Sequence, residues 1–310
     1  MSNYITIDGG TTNTRVSLIS DGNTVAIKKI NLGARSSIDD KSALTSALKS
    51  AISDILAENG LAESDIIRIL ASGMITSEFG LCKLDHIPAP AGIKELHDSM
   101  HEVVINEVST IPFVFVRGVK LSGDELCSCD IMRGEETELI GLGALPSSVY
   151  ILPGSHSKII YTDKDGRIDR FFTMLTGEML AALSSSTILK DAVDLSVSKT
   201  DTDYLIRGYR YATKDGLNEA LFKVRILKNI FGANKEQTYS FYLGAVLSGE
   251  INKIVKLNPE RIIVGGKEQL KSAICTILEG IFSGDVISVG RDDVDTSVSR
   301  GIIKIYNYKA

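Results

Sequence analysis

The chain has 310 residues, 44% of them hydrophobic and 24% charged, with a formal net charge of −5. This is the composition of a globular protein long enough for two domains, and its acidic balance argues against a broad nucleic-acid groove. No apolar stretch is long enough to span a bilayer and the N-terminus lacks a signal-peptide pattern, so the expectation is a cytoplasmic protein with neither membrane nor nucleic acid as partner.

The first predicted strand carries Tyr4, Ile5 and Ile7 and ends at Asp8. Gly9 and Gly10 let the backbone turn tightly and admit an anion to its N–H groups, and Thr11, Thr12 and Asn13 add side-chain donors. Asp8 can hold Mg²⁺ through water, because that ion keeps most of its hydration shell. The set implies a phosphate site for a metal–nucleotide. A second strand is predicted over 15–20, a turn at Asp21-Gly22-Asn23 and a third strand over 24–30. Residues 41–58 read as an amphipathic helix with Leu44, Leu48, Ile52, Ile55 and Leu56 on one face, capped by Asp39 or Asp40 and ended by Gly60. A buried strand over 66–71 runs into Ser72-Gly73-Met74-Ile75-Thr76, and another covers 112–116. His97 and His101 lie four apart on a predicted helix without an acidic or thiol partner, so they read as surface or core histidines. Cys82, Cys127, Cys129 and Cys275 show no disulfide framework.

Residues 133–143 read as a short helix leading to a strand over 149–152 and the segment Pro153-Gly154-Ser155-His156-Ser157-Lys158. A strand over 159–162, a turn at Asp163-Lys164-Asp165-Gly166 and a strand over 167–172 complete a second hairpin. Gly10 and Gly22 are twelve residues apart, as are Gly154 and Gly166, and Gly10-Thr11-Thr12-Asn13 aligns with Gly154-Ser155-His156-Ser157. Alone, each loop reads as an ordinary polar turn; the matched pair indicates two related halves facing one nucleotide. Helices are predicted over 177–189, 216–231 and 236–256, the last stopped by Pro259. A strand over 261–264, Gly265-Gly266 and a helix from Lys267 to Ile281 follow. Two glycines there let an adenosine lie against bare backbone.

These features in this order resemble the actin-like ATPase superfamily of sugar kinases, Hsp70 and hexokinase. The resemblance implies an α/β fold of two ribonuclease H-like domains with mixed sheets flanked by helices and a cleft between them, over 1–132 and 133–310. A narrower resemblance is to the 2-dehydro-3-deoxygalactonokinase family. It rests on Asp8-Gly-Gly-Thr-Thr-Asn13-Thr-Arg15, Gly73-Met74-Ile75, Asp130-Ile-Met-Arg133-Gly134-Glu135-Glu136-Thr137, Leu152-Pro-Gly-Ser-His156-Ser-Lys158 and Leu175-Thr-Gly-Glu178. Gly9 stands where the family usually has Trp, Ser155 where it has Thr, and Ile159 where it has an aromatic.

The resemblance implies ATP-dependent phosphorylation of a 2-keto-3-deoxy sugar acid, 2-dehydro-3-deoxy-D-galactonate to its 6-phosphate. Asp8 directs Mg²⁺ and serves catalysis. Thr11, Thr12 and Asn13, with Gly10, hold the γ-phosphate; Gly154, Ser155, His156 and Ser157 hold the β-phosphate, with Lys158 as a nearby charge; Gly265 and Gly266 take the adenosine. The general base is Asp130, Glu135 or Glu136, with Asp130 and Glu135 preferred. Arg133 is suited to the substrate carboxylate, with Gly73 and Met74 bordering the sugar acid. Competing readings are a phosphatase or nucleotide hydrolase on the same fold and a non-enzymatic nucleotide switch. A homodimer is compatible with either.

Overall fold

The computed structural model describes residues 2–34, 41–266 and 268–309. The first half carries β1 (Asn3–Gly9), β2 (Thr14–Ser20), β3 (Asn23–Ile30), α1 (Lys41–Glu58), β4 (Ile66–Gly73), β5 (Ile87–Pro88), α2 (Ile93–Asp98), β6 (His101–Val103), β7 (Phe113–Phe115), β8 (Val119–Leu121), β9 (Asp130–Met132) and α3 (Glu135–Leu142). Next come β10 (Val149–Leu152), β11 (Ser157–Thr162), β12 (Ile168–Met174), α4 (Thr176–Ser186), α5 (Thr202–Asp215), α6 (Leu217–Asn229), α7 (Lys235–Val255), β13 (Arg261–Val264), α8 (Glu268–Glu279), β14 (Asp285–Ser288) and α9 (Arg291–Tyr306). None of the described helices is long and apolar enough to cross a membrane.

Two compact units form. Unit 1 comprises Met1–Pro146, Thr162–Arg170 and Asp292–Ala310, and unit 2 comprises Ser147–Tyr161 and Phe171–Arg291. The sequence-based boundary at 132/133 differs from this division. The reason is packing: α3 belongs with unit 1 because it lies against α9, and α9 against β1.

The same sheet occurs in both units. Unit 1 has the order β3-β2-β1-β4-β7-β6, and the second sheet runs β12-β11-β10-β13-β14. In each, the first two strands are antiparallel (β1/β2, β10/β11) and the first pairs in parallel with the strand after the hairpin (β1/β4, β10/β13). The hairpin turns match as well, with Gly22 at φ +83° and Gly166 at φ +77°, left-handed values that glycine adopts without penalty. The duplication expected from the two loops is therefore present at the level of whole sheets.

Alternation along β1 divides unit 1 into two cores. Ile5 and Ile7 pack with Leu44, Leu48, Ile52 and Ile55 of α1, while Tyr4 packs with Ile19, Leu70, Val114 and Ile302 of α9. Helix α1 has the predicted bounds, and Gly60 follows it at φ +65°. Its expected caps, Asp39 and Asp40, lie outside the described residues, as does Lys267, the expected start of α8. Unit 2 packs β10, β11 and β13 against α4 to α8 in one continuous core.

Several elements differ from expectation. His97 lies in the last turn of α2 and its Nδ1 meets the Ile305 carbonyl oxygen at 2.8 Å, whereas His101 opens β6, so the two do not share a helix face. Helix α5, strand β14, helix α9 and a small sheet of order β5-β8-β9 are additional. Helix α9 carries small residues where it meets α3. A Cβ on Gly141 would lie 1.7 Å from the Ser297 carbonyl oxygen, and one on Gly301 would lie 1.9 Å from that of Thr137.

Gly301→Ala is therefore expected to force α9 off α3 and destabilise the protein by about 1–3 kcal/mol. Gly249→Ala on α7, where an added Cβ meets nothing within 4 Å, should be neutral or stabilising by up to about 1 kcal/mol. Urea unfolding of the two variants checks the contrast.

Candidate functional site

The first loop begins where β1 ends. The Gly10 N–H donates to the Asn13 carbonyl at 2.9 Å, closing a tight turn, and the Ala34 N–H donates to the Gly10 carbonyl at 3.1 Å from behind. A Cβ on Gly33 would lie 2.5 Å from that same oxygen, so the segment after β3 abuts the loop directly. In a trans peptide the C=O and the following N–H point in opposite directions. With the Gly10 carbonyl taken by Ala34, the Thr11 N–H points away from that segment, and Thr12 and Asn13 are exposed. The Asn13 amide donates to the Thr12 hydroxyl at 3.1 Å. This arrangement can receive an anion.

Beside this loop, backbone packs on backbone. A Cβ on Gly9 would sit 2.7 Å from that of Ile75, one on Gly73 would sit 2.4 Å from the Gly9 carbonyl oxygen, and one on Gly134 would sit 3.2 Å from the Gly73 Cα. Gly73 and Gly134 also have φ of +88° and +114°. This three-glycine contact joins the ends of β1 and β4 to the start of α3, and it brings acids together from distant parts of the chain. Burial raises the Asp8 pKa first; Glu135 adds to the rise and Arg15 opposes it. Glu138, which sequence reasoning passed over, is pushed up to about 8 by burial, then by Glu135 and Asp8. Its signal was present, since three residues along a helix returns to the face of Glu135.

Glu136 points elsewhere. Fully buried, it accepts the Gly134 N–H at 2.9 and 2.8 Å on its two oxygens and the Thr137 hydroxyl at 3.1 Å. Burial and then the Glu135 charge still raise it to about 8. Asp130 opens β9 opposite Leu121, its Oδ1 accepting the Ile131 N–H at 2.7 Å.

A divalent cation fits the group around Asp8, because the Glu135 carboxylate bears on both Asp8 and Glu138 and Arg15 is the opposing charge. Among the described residues, however, no set of three or more His, Cys, Asp or Glu side chains is arranged to hold a metal directly. The donor set suits a hydrated Mg²⁺ reached through water.

On the expected substrate side, Gly73 leads into a 3₁₀ turn at Met74–Thr76. The Arg133 guanidinium is committed within unit 1. Nη1 donates to the Thr76 carbonyl at 2.9 Å and hydroxyl at 2.6 Å, and Nη2 donates to the Leu84 carbonyl at 3.0 Å and to His86 Nδ1 at 3.3 Å. Burial, then the adjacent Arg133, holds His86 down at about 4, so its ring is neutral and can accept. The fork that sequence reasoning offered to a carboxylate thus ties residues 76–86 to the start of α3.

In unit 2 the second loop repeats the geometry of the first. The Gly177 and Glu178 N–H groups of α4 donate to the Gly154 and Ser155 carbonyls, each at 3.2 Å. The Ser155 and His156 N–H groups consequently point away from α4. Ser155 is exposed, His156 Nε2 lies 3.3 Å from Glu178 Oε1, and Ser157 and Lys158 are buried at the start of β11. The Gly265 N–H donates to the Ile151 carbonyl at 2.9 Å, and Gly266, at φ +76°, has no room for a Cβ beside Pro153. That glycine pair seats the β13–α8 turn against the second loop.

Two matched glycine loops on duplicated sheets define a fold, and comparison with known proteins then defines the family. The model of the 2-keto-3-deoxy-galactonokinase family matches residues 8–305. The chain belongs to that family. It is 27% identical over 250 residues to the 2-dehydro-3-deoxygalactonokinase of Escherichia coli K12, covering 80% of this chain and 79% of that one. It superposes with a TM-score of 0.81 on a Sinorhizobium meliloti protein assigned as a 2-dehydro-3-deoxygalactonokinase, at 22% identity over 97% of each chain. It also superposes on a ligand-bound xylulose kinase from Lactobacillus acidophilus, with a TM-score of 0.54, 10% identity and coverage of 99% and 89%. The fold is that of the actin-like ATPases and sugar kinases. Ile75 fills the space beside Gly9, which leaves no room for a side chain there.

The buried Glu136 gives a pH test. Its proton is retained in the folded state up to about pH 8, whereas the unfolded chain releases it near the ordinary glutamate value. The folded state thus binds more protons between these limits, and stability falls as pH rises through the window, by on the order of 3–5 kcal/mol. Urea midpoints at several pH values from 5 to 8.5 should show this slope; Glu138 and Glu250 are raised in the same direction and add to it, so Glu136→Gln should reduce it without abolishing it.

Proposed function

We propose that this chain transfers the γ-phosphoryl group of ATP to the 6-hydroxyl of 2-dehydro-3-deoxy-D-galactonate. Membership of the family supplies the reaction class, an ATP-dependent kinase of a sugar acid. The single observation that carries the reading is the family match across residues 8–305, which spans both phosphate-type loops. The reading sets the reaction in the cytoplasm, where ATP is held.

In this reading the Thr11 N–H, with Thr12 and Asn13, receives the γ-phosphate. The Ser155 and His156 N–H groups receive the β-phosphate, with Lys158 as a charge beside them, and Gly265 and Gly266 face the adenosine. Mg²⁺, when bound, would neutralise phosphate charge; Asp8 would orient it through water, with Glu135 and Glu138 sharing its field. Glu135 is the proposed base for the substrate hydroxyl, because it lies within electrostatic reach of Asp8. Glu136, protonated near neutrality, is unsuited to that task. Arg133 serves the sugar acid indirectly, by fixing the segment that follows Gly73 and Met74.

Two sets of variants test these roles. In a coupled ADP-release assay with 2-dehydro-3-deoxy-D-galactonate, Asp8→Asn should lower kcat by about a hundredfold or more. Glu135→Gln should lower it by ~10²–10⁴-fold, against a small effect of Asp130→Asn. A reversed order for Glu135 and Asp130 would move the base to β9. Sugar-acid-independent ATP turnover at the same rate would replace the kinase reading with a hydrolase.

For Arg133→Lys, an ammonium cannot reproduce a fork that serves four acceptors. The thermal midpoint should fall and KM for the sugar acid should rise, with KM for ATP unchanged. An unaltered midpoint alongside a raised KM would return Arg133 to direct carboxylate binding.

A further inference from the structure

The segment Thr176-Gly177-Glu178 opens α4 and is left without a role by the phosphate assignments, as is the buried acid it touches. Glu250, on α7, is 2% exposed. Its Oε2 accepts the Thr176 hydroxyl at 2.7 Å, and the Ser157 hydroxyl bears on the same carboxyl. Its Oε1 is buried with no hydrogen-bond partner. A carboxyl held this way is expensive, because an unpaired buried polar atom forfeits its hydration. Burial duly pushes the group up to about 7, against the two hydroxyls that favour its charged form.

What the carboxyl holds is the back of the second loop. Thr176 stands one residue before Gly177, whose N–H takes the Gly154 carbonyl at 3.2 Å and whose missing Cβ would lie 2.4 Å from that oxygen. Glu178 takes the Ser155 carbonyl through its N–H and approaches His156 through its carboxylate. Ser157 closes the loop from the other end, its Oγ accepting the Gly154 N–H at 3.4 Å. The Glu250 side chain therefore bonds one end of the brace, Thr176 at the start of α4, and bears on the other, Ser157 at the start of β11. Loss of the carboxyl frees α4 to rotate or withdraw, and with it the carbonyls that set the direction of the Ser155 and His156 N–H groups.

We propose that Glu250 is a positioning residue for nucleotide binding, acting through Thr176 and Ser157 to hold the second loop's N–H groups toward the β-phosphate. The proposal rests on the reading of Gly154–Ser157 as a phosphate loop. It predicts an effect on nucleotide affinity and not on the sugar acid or on the chemical step.

The test uses the full chain and the variants Glu250→Ala, Glu250→Gln and Thr176→Val. The measurements are ADP binding by calorimetry, KM for ATP, KM for the sugar acid, kcat and thermal midpoint. Thr176→Val removes the bond with a side chain of the same shape, so it reports even where Glu250→Ala folds poorly. Glu250→Ala and Thr176→Val should weaken ADP and raise KM for ATP by about tenfold, the effect of one lost hydrogen bond to a charged group. The other two kinetic constants should stay within about twofold. Glu250→Gln, which keeps an acceptor for Thr176, should recover most of the affinity. Folded variants that bind ADP as tightly as the wild type overturn the proposal and leave the kinase reading intact. So does a Gln variant no better than Ala. A wild-type chain that binds ADP with this variant pattern but phosphorylates no sugar acid upholds the proposal and overturns the substrate. A wild-type chain that does not bind ADP overturns both.

Discussion

At the ends of β1 and β4 and the start of α3, main chain meets main chain with no side chain between. Gly9, Gly73 and Gly134 allow this, two of them at backbone angles that other residues adopt only under strain. The contact fixes the spacing of three chain segments far apart in sequence to a few ångströms. Asp8 owes its neighbours Glu135 and Glu138 to it, and Arg133 owes its reach to Thr76 and Leu84 to it. A methyl group at Gly73 would part these segments, so the charge cluster and the 3₁₀ turn at Met74–Thr76 share one mechanical origin.

Both loops obey a second constraint, that of the planar peptide. Neither offers its N–H groups through side-chain design alone. In unit 1 Ala34 takes the loop carbonyl, and in unit 2 α4 takes two of them. Each carbonyl held at the rear turns the next N–H to the front. The two halves reach the same result with different braces, a connection after β3 in one and a helix N-terminus in the other. In the second, the first residue of the brace, Thr176, bonds to the buried Glu250.

Local pattern carried much of the fold. The paired glycine turns, the face of α1 and the strand before each loop are set by residues adjacent in sequence, and they stand where periodicity and turn chemistry put them. Helix α5 was obscured because its buried stripe of Leu205, Gly208, Tyr209 and Ala212 contains a glycine, which packs against the Phe241 carbonyl; the capping Asp201, whose Oδ1 accepts the Tyr204 N–H, was the available clue. Helix α9 was obscured for a similar reason, since its buried face carries Ser297, Ser299 and Gly301 beside the apolar Ile302 and Ile305. At the candidate site, residue types in the loops could be read directly. The partners of Arg133, the neutrality of Glu136 and the place of Glu250 could not, because each depends on burial by elements tens of residues away.

Helix α9 has a bearing on how the protein is made. Unit 1 begins with β1, yet Thr6 shares a buried hydrogen bond of 2.9 Å with Ser299, and Tyr4, Leu70 and Val114 are roofed by Ile302. A chain emerging from the ribosome can form the α1 side of this sheet early, but the opposite face stays bare until residues 291–306 have been synthesised. Unit 2, drawn from residues 147–161 and 171–291, has its own core complete before then. The order of completion thus inverts the order of synthesis: the N-terminal sheet is the last to close. During that interval its uncovered face is a surface for chaperone capture or aggregation.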